Sequence, residues 1–158
     1  MSSYITTSSK IHFTPVSPDP EQIVIRDIAH ALSLMTRANG HFPEFYSVGQ
    51  HCIHCYEEAV ARKYSPFLCK ACLLHDASEA YLADITRPVK QFLPGYLEIE
   101  KRLQDTIYEK FLGQCPSEEE MAQIKSVDDA MLFHEFKCFM NEELDIPEHE
   151  ILTRPAFS

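Results

Sequence analysis

The stretch Leu73-Leu74-His75-Asp76-Ala77-Ser78-Glu79-Ala80-Tyr81-Leu82-Ala83-Asp84 sets one histidine and three carboxylates into an otherwise apolar helical run. Charged groups are rarely buried unless paired or bound to a metal, so such a helix asks for a cation. His75 and Asp76 are adjacent and diverge by roughly 100° around a helix, so they can flank a metal lying between them. Glu79 follows at i+4 from His75 and i+3 from Asp76, which returns it to the same side. A metal pair with a free carboxylate one turn on points to a hydrolytic centre.

Outward from this run, local signals describe helices. Ser65-Pro66 predicts the helix start, with Ser as N-cap and Pro at the first position, and that helix carries Leu68, Cys72, Leu73 and the His75-Asp76 pair. Upstream, Ile25, Ile28, Ala29, Leu32 and Met35 give Ile23 to Arg37 a helical period, closed by Asn39-Gly40. His41 to Tyr46, with Pro43, is a loop, and Ser47 caps a helix running to about Lys63. Downstream, Thr86-Arg87-Pro88 and Pro94-Gly95 break the pattern. Tyr96 to Leu112 reads as an amphipathic helix ended by Gly113, and Ser117-Glu118-Glu119-Glu120 opens a long helix through about Glu143. Residues 1–20 alternate polar and β-branched side chains and end in a turn-like SPDP, which predicts a short β-hairpin or extended arm. Residues 147–158 read as a loosely ordered tail. The expectation is an all-α bundle in a single domain spanning 1–158, with a small β appendage.

Composition agrees. The chain has 158 residues, 45% of them hydrophobic and only 4 glycines, which suits helices better than a turn-rich β fold. No run approaches the ~18 apolar residues of a membrane span, and MSSYITTSSK lacks the apolar core of a signal peptide. A cytoplasmic location is expected, where the six cysteines are thiols or ligands rather than disulfides. A net charge of −10 argues against long nucleic acid as partner, while a small anionic substrate remains compatible with a bound cation.

His51, His75, Asp76 and Asp128 each fall on a predicted helix and are the candidate ligands. Two imidazoles and two carboxylates suit one divalent Mn, Fe, Co or Zn ion, and fit Mg or Ca less well. Four protein ligands leave two octahedral positions for water and a substrate oxygen, which is what metal-assisted hydrolysis needs.

The pattern His…His-Asp…Asp resembles the signature of the HD-domain phosphohydrolases. The strings DIAHALS (27–33), YSVGQH (46–51), LLHDASEAYLADITRPVK (73–90), LPGYLEIE (93–100) and IKSVDDAMLFHE (124–135) are similar to a bacterial and phage branch. That branch is related to deoxynucleoside 5'-monophosphatases and small deoxynucleoside triphosphate triphosphohydrolases. The resemblance runs from about residue 4 to residue 143. It implies an HD-type helical core, one divalent metal, and hydrolysis of a nucleotide phosphate ester or anhydride by metal-bound water. It puts His51, His75, Asp76 and Asp128 on the ligand positions, with Asp129 the competing choice for the last. Glu79 falls on the acidic residue that orients water or protonates the leaving group, and Asp84 on a second acidic position linked to catalysis. Arg37, Arg87 and Lys90 are the candidates for the phosphate. A nucleoside 5'-monophosphate is the expected substrate, with a deoxynucleoside triphosphate the alternative, and a homo-oligomer is compatible with the resemblance.

The cysteines offer a rival from another class. Cys52-x-x-Cys55 and Cys69-x-x-Cys72 have spacings close to a structural zinc site, which fits a non-catalytic nucleotide-binding or zinc-stabilised interaction module. Both pairs lie inside periodic apolar segments, CIHCYEEAV and FLCKACLLH, where cysteines at i and i+3 read as small core residues.

Overall fold

The computed structural model describes residues 3–157; the first two residues of the expected arm and the last of the expected tail lie outside them. The described chain is mostly helical with one small antiparallel hairpin. Strand β1 (Ile5–Thr6) pairs with β2 (His12–Phe13), Ile5 opposite Phe13 and Thr6 opposite His12. The hairpin is built into the body. Phe13 is fully buried against the Tyr81 ring, and the Ser8 hydroxyl and Ser9 N–H both donate to Asp27 Oδ1, at 2.8 and 2.9 Å.

Helix α1 (Ile25–Leu34) stops three residues short of the expected Arg37. Its continuation is extended, because Arg37 N–H donates to Tyr46 O and Val48 N–H to Met35 O, both at 2.8 Å. Asn39 (φ 53°) and Gly40 (φ 80°) therefore do not cap α1; they turn the chain in a 3-10 turn, Ala38–Gly40. Helix α2 (Val48–Ala61) starts where Ser47 and Gln50 exchange side-chain bonds to each other's backbone N–H, a complete capping box. Gly49 lies against α1, where a Cβ would meet the Leu32 carbonyl carbon and oxygen at 3.3 Å. Any side chain there would push the two helices apart.

Helix α3 (Pro66–Leu74) opens on Ser65, whose hydroxyl accepts from Leu68 N–H. It ends at Leu74, so the expected continuous helix through the His75-Asp76 pair is not formed. Ala77, Glu79, Ala80 and Tyr81 instead donate to the carbonyl three residues back. This tighter winding swings about 120° per residue instead of about 100°. It leads into the single turn α4 (Glu79–Leu82), which Ala83 ends at φ 85°, ψ 164°, a costly conformation for a residue with a Cβ.

A second single turn, α5 (Arg87–Lys90), precedes α6 (Pro94–Leu112). Pro94-Gly95, read as a break, is the start of α6, with Pro94 in the first turn, and Gly113 in the left-handed region ends it. Helix α7 (Glu118–Met140) begins with the Ser117–Glu120 capping box and ends at Met140, three residues before the expected Glu143, with Asn141 (φ 52°) as its cap. Helix α2 packs on α1, α3 and α7, and α3 also meets α6 and α7. The core runs between them through residues such as Val48, Ala71, Leu103, Ile107, Val127 and Met131, all with no measurable exposure.

The tail is anchored, contrary to the loose segment expected. The buried Glu58 carboxylate accepts from the N–H groups of Leu152 and Thr153 and from the Thr153 hydroxyl, and Phe157 packs on the Tyr46, His54 and Phe139 rings. A buried carboxylate needs such donors, and they come from residues more than ninety positions away in sequence.

Candidate metal centre

Three helices deliver the four candidate ligands to one point. His51 sits one turn into α2, His75 and Asp76 follow the end of α3, and Asp128 lies midway along α7. His51 Nε2 is 3.3 Å from His75 Nε2, 3.0 Å from Asp128 Oδ1 and 3.6 Å from Asp76 Oδ2. His75 Nε2 is 3.3 Å from Asp76 Oδ2 and 3.4 Å from Asp128 Oδ1. Two donors each ~2.1 Å from a cation stand ~3.0 Å apart at a right angle and ~3.4 to ~3.6 Å apart at tetrahedral to trigonal angles. Donors at these separations could hold a metal ion.

The electrostatics demand positive charge there. Burial opposes a charge on Asp128, yet the His51 and His75 hydrogen bonds overcome it and hold the carboxyl well below the usual carboxylate range. Burial likewise works against a proton on His75, but the Asp76 and Asp128 carboxylates push its pKa up to about 9. Asp129 is turned away: its Oδ1 takes Arg87 Nη2 at 2.7 Å and its Oδ2 takes Lys125. Of the two adjacent aspartates, Asp128 is the one that faces the imidazoles.

Glu135 completes the centre, and sequence reasoning passed over it. Its Oε1 receives His51 Nδ1 and the Tyr46 hydroxyl, and its Oε2 receives Arg37 Nε at 3.2 Å and Nη2 at 2.8 Å. The carboxylate fixes the His51 ring so that Nε2 faces the other donors, an outer partner of the kind metal-binding imidazoles require. Burial disfavours its charge, but the Arg37 guanidinium outweighs that and brings the pKa down to about 2. Glu135 lies at i+7 from Asp128 within the apolar AMLFHEF, and a carboxylate two turns on along the same face was the signal available.

The remaining candidates surround a cleft of about 450 Å³ lined by Arg37, Asp76, Glu79, Asp84, Arg87, Lys90 and Asp128, with Phe42, Leu132 and Phe136 as its apolar wall. This volume lies within the ~300–1,000 Å³ of small-molecule sites. Glu79 is buried, and its Oε2 has no hydrogen-bond partner among the described residues. Burial, then the Asp76 and Asp84 charges, raises its pKa well above the ordinary value. The strained Ala83 precedes Asp84, whose carboxyl is also pushed up by burial.

The three cations are placed less simply than a phosphate site alone would require. Arg37 is locked to Glu135, with Nη1 3.8 Å from Asp76 Oδ2. Arg87 bonds the outer oxygen of Asp128 at 3.2 Å as well as Asp129, and Lys90 donates to Glu100 at 3.0 Å. A second cleft of about 490 Å³ adjoins the first, sharing Asp76, Glu79, Lys90 and Asp128 and adding Lys101 and Lys125. All six cysteines are free. Among the described residues, no metal-competent group joins the Cys52/Cys55 and Cys69/Cys72 pairs; the groups found join Cys55 to His51, His75 and Asp128, and Cys52 to His75 and Asp76.

Comparison with known proteins gives two relatives. The chain is 39% identical over 109 residues to the uncharacterized protein YfdR of Escherichia coli (strain K12), covering 69% of this chain and 58% of that protein. It is 38% identical over 103 residues to an uncharacterized protein of Rhodobacter capsulatus, covering 61% of this chain and 52% of that protein. The chain thus spans little more than half the length of these curated relatives. No family model matches it. No helix among the described residues is long and apolar enough to cross a membrane.

Proposed function

We propose that the protein is a divalent-metal-dependent phosphohydrolase of the HD type that acts on a nucleotide, with a nucleoside 5'-monophosphate as the favoured substrate. The observation that carries this reading is that His51 Nε2 and His75 Nε2, 3.3 Å apart, each lie 3.0–3.6 Å from an oxygen of Asp76 and of Asp128, beside a cleft that also holds Glu79. A cation held by these four would supply Lewis-acid polarisation of a phosphoryl oxygen and an acidified water. The chain's own residues do the rest. Glu79, whose carboxyl is pushed well above its ordinary value by burial and by the Asp76 and Asp84 charges, is the proton donor to the departing oxygen. Lys90 and the free edge of Arg37 offset charge on the phosphoryl group, and Arg87 braces Asp128 from behind. The ring of a base lies against Phe42, Leu132 and Phe136.

Hydrolysis of a deoxynucleoside triphosphate is the second reading. The adjoining cleft favours it, because Lys101 and Lys125 stand where a longer anion would extend past the centre. Nucleoside mono- and triphosphates assayed with Mn, Co and Mg, with product analysis, separate the two: phosphate release from a monophosphate supports the first and tripolyphosphate release the second. Metal-loaded protein that cleaves none of them overturns both.

A further inference from the structure

We propose that Gln104 of α6 is a positioning residue for this centre. Its side-chain amide is inserted into the helix that would otherwise run through the His75-Asp76 pair, and the break it makes sets that pair and Glu79 in place. The inference rests on the four-donor reading above and deepens it. In a continuous α-helix the Ser78 N–H would donate to the Leu74 carbonyl, four residues back. Here the Gln104 amide stands between them: Ser78 N–H donates to Gln104 Oε1 at 3.1 Å, and Gln104 Nε2 donates to Leu74 O at 2.8 Å. The reverse orientation of the amide would set N–H against N–H and oxygen against oxygen, so the two contacts fix which end is which. A side chain entering the ladder of helix bonds is one of the causes of a sharp break. The bridged groups bracket His75, Asp76 and Ala77, and so both adjacent ligands.

Leu74 and Ser78 are both buried, so their backbone groups need protein partners. With the α-type bond displaced, Ala77 N–H donates to Leu74 O at 2.9 Å and Glu79 N–H to Asp76 O at 3.0 Å, each three residues back. In that winding side chains three apart eclipse, which stacks Glu79 over Asp76, whereas an α-helix offsets the two by about 60°. The same face of α6 braces the chain further on. Glu100, four residues before Gln104, takes Lys90 Nζ at 3.0 Å, and Tyr96, four before that, donates its hydroxyl to Ala83 O at 3.0 Å. Of these three, Gln104 is the one that meets the segment carrying metal ligands. Removing its amide lets Ser78 N–H close directly on Leu74 O. The pair then rewinds toward α geometry, and the His75 and Asp76 donors leave their register with His51 and Asp128.

The test is Co(II) binding by the full chain, followed by visible absorbance, in the parent and in Gln104→Met, which keeps the side chain's length and removes both bonds. Gln104→Met is expected to bind Co(II) at least ~10-fold more weakly, the scale of losing outer support to a metal ligand, with its d–d bands altered. Gln104→Glu keeps an acceptor for Ser78 N–H but sets an oxygen against Leu74 O, and is expected to lose as much. Glu58→Gln, destabilised at a site outside this turn, is the control and is expected to bind Co(II) as the parent does. Equal losses in Glu58→Gln and Gln104→Met would trace the effect to stability and overturn the proposal. Parent-like affinity and bands in Gln104→Met overturn it too, and leave the four-donor centre standing. If the Gln104 variants fail to fold, amide hydrogen exchange of the parent decides: the Ser78 N–H is expected to be protected, and free exchange there overturns the proposal. A parent that binds no Co(II) overturns the four-donor reading itself, and this proposal with it.

Discussion

Replacing Glu135 with Gln tests the part of the centre that no ligand motif contains. The substitution keeps size and shape but removes the charge that faces Arg37 and His51, both largely buried. With its carboxyl held at about 2 against an ordinary 4.5, Glu135 contributes about 3 kcal/mol of folding free energy at neutral pH. Because the folded value is depressed, this contribution is fully present above pH ~4.5 and is lost as pH falls through the folded value. Leaving the Arg37 cation buried without its partner gives a similar figure, ~3–5 kcal/mol. For a chain of this length that lowers the melting temperature by roughly 6–20 °C. Loss of the outer partner to His51 is expected to weaken metal binding ~10–100-fold, or ~1.4–2.8 kcal/mol. Thermal unfolding followed by circular dichroism, with and without added Zn, measures both effects. A cycle with Arg37→Met should return a coupling of at least ~1 kcal/mol, since the two side chains share one network. Glu135→Gln protein that melts within ~0.5 kcal/mol of the parent and binds metal equally well would refute the role assigned to this carboxylate.

Glu79→Gln is expected to bind metal normally yet lose ~100- to 10,000-fold in kcat on the substrate that the panel identifies. In the parent, the pH–rate profile should fall on its alkaline side as Glu79 ionises at its raised pKa, and that limb should vanish in the variant. Asp128→Asn should abolish stoichiometric metal binding by mass spectrometry or metal analysis, whereas Asp129→Asn, which loses only its ties to Arg87 and Lys125, should retain the metal; equal loss in both would overturn the choice between them. Glu58→Gln should cost ~2–3 kcal/mol, the scale of a charge-assisted hydrogen bond, and expose the tail near residue 150 to limited proteolysis. Burial raises the Glu58 pKa, but the Leu152 N–H, Arg62 and Thr153 bonds lower it overall. Its stabilisation is therefore present above the ordinary carboxylate range and disappears as pH falls below it, a loss that the variant should not show in an acid titration of stability.

Most of the helical framework was legible because helix starts are local. The Ser47–Gln50 and Ser117–Glu120 boxes and Ser65-Pro66 each satisfy orphan N–H groups with side chains at most three residues away. The errors share the opposite cause. Helix α1 ends early because Met35 and Arg37 pair with Val48 and Tyr46 across a loop, and the tail is ordered by a carboxylate on α2. The His75-Asp76 turn was misread as helix because its apolar spacing is equally compatible with the tighter winding that the packed bundle imposes.

The residue types of the centre, the helices that carry His51 and Asp128, and the face of α2 that carries His51 follow from the one-dimensional order, since side-chain periodicity and capping act over a turn or less. Which of Asp128 and Asp129 looks inward, that Glu135 clamps His51, that Arg37 gives Nε and Nη2 to that clamp, and that Cys55 stands over the His51 ring were decided only by packing. Those relations join positions 42 to 98 residues apart, apart from the short step from His51 to Cys55. Local propensity carries no information over such separations; close approach in a shared core, where unpaired charge is costly, selects the partners.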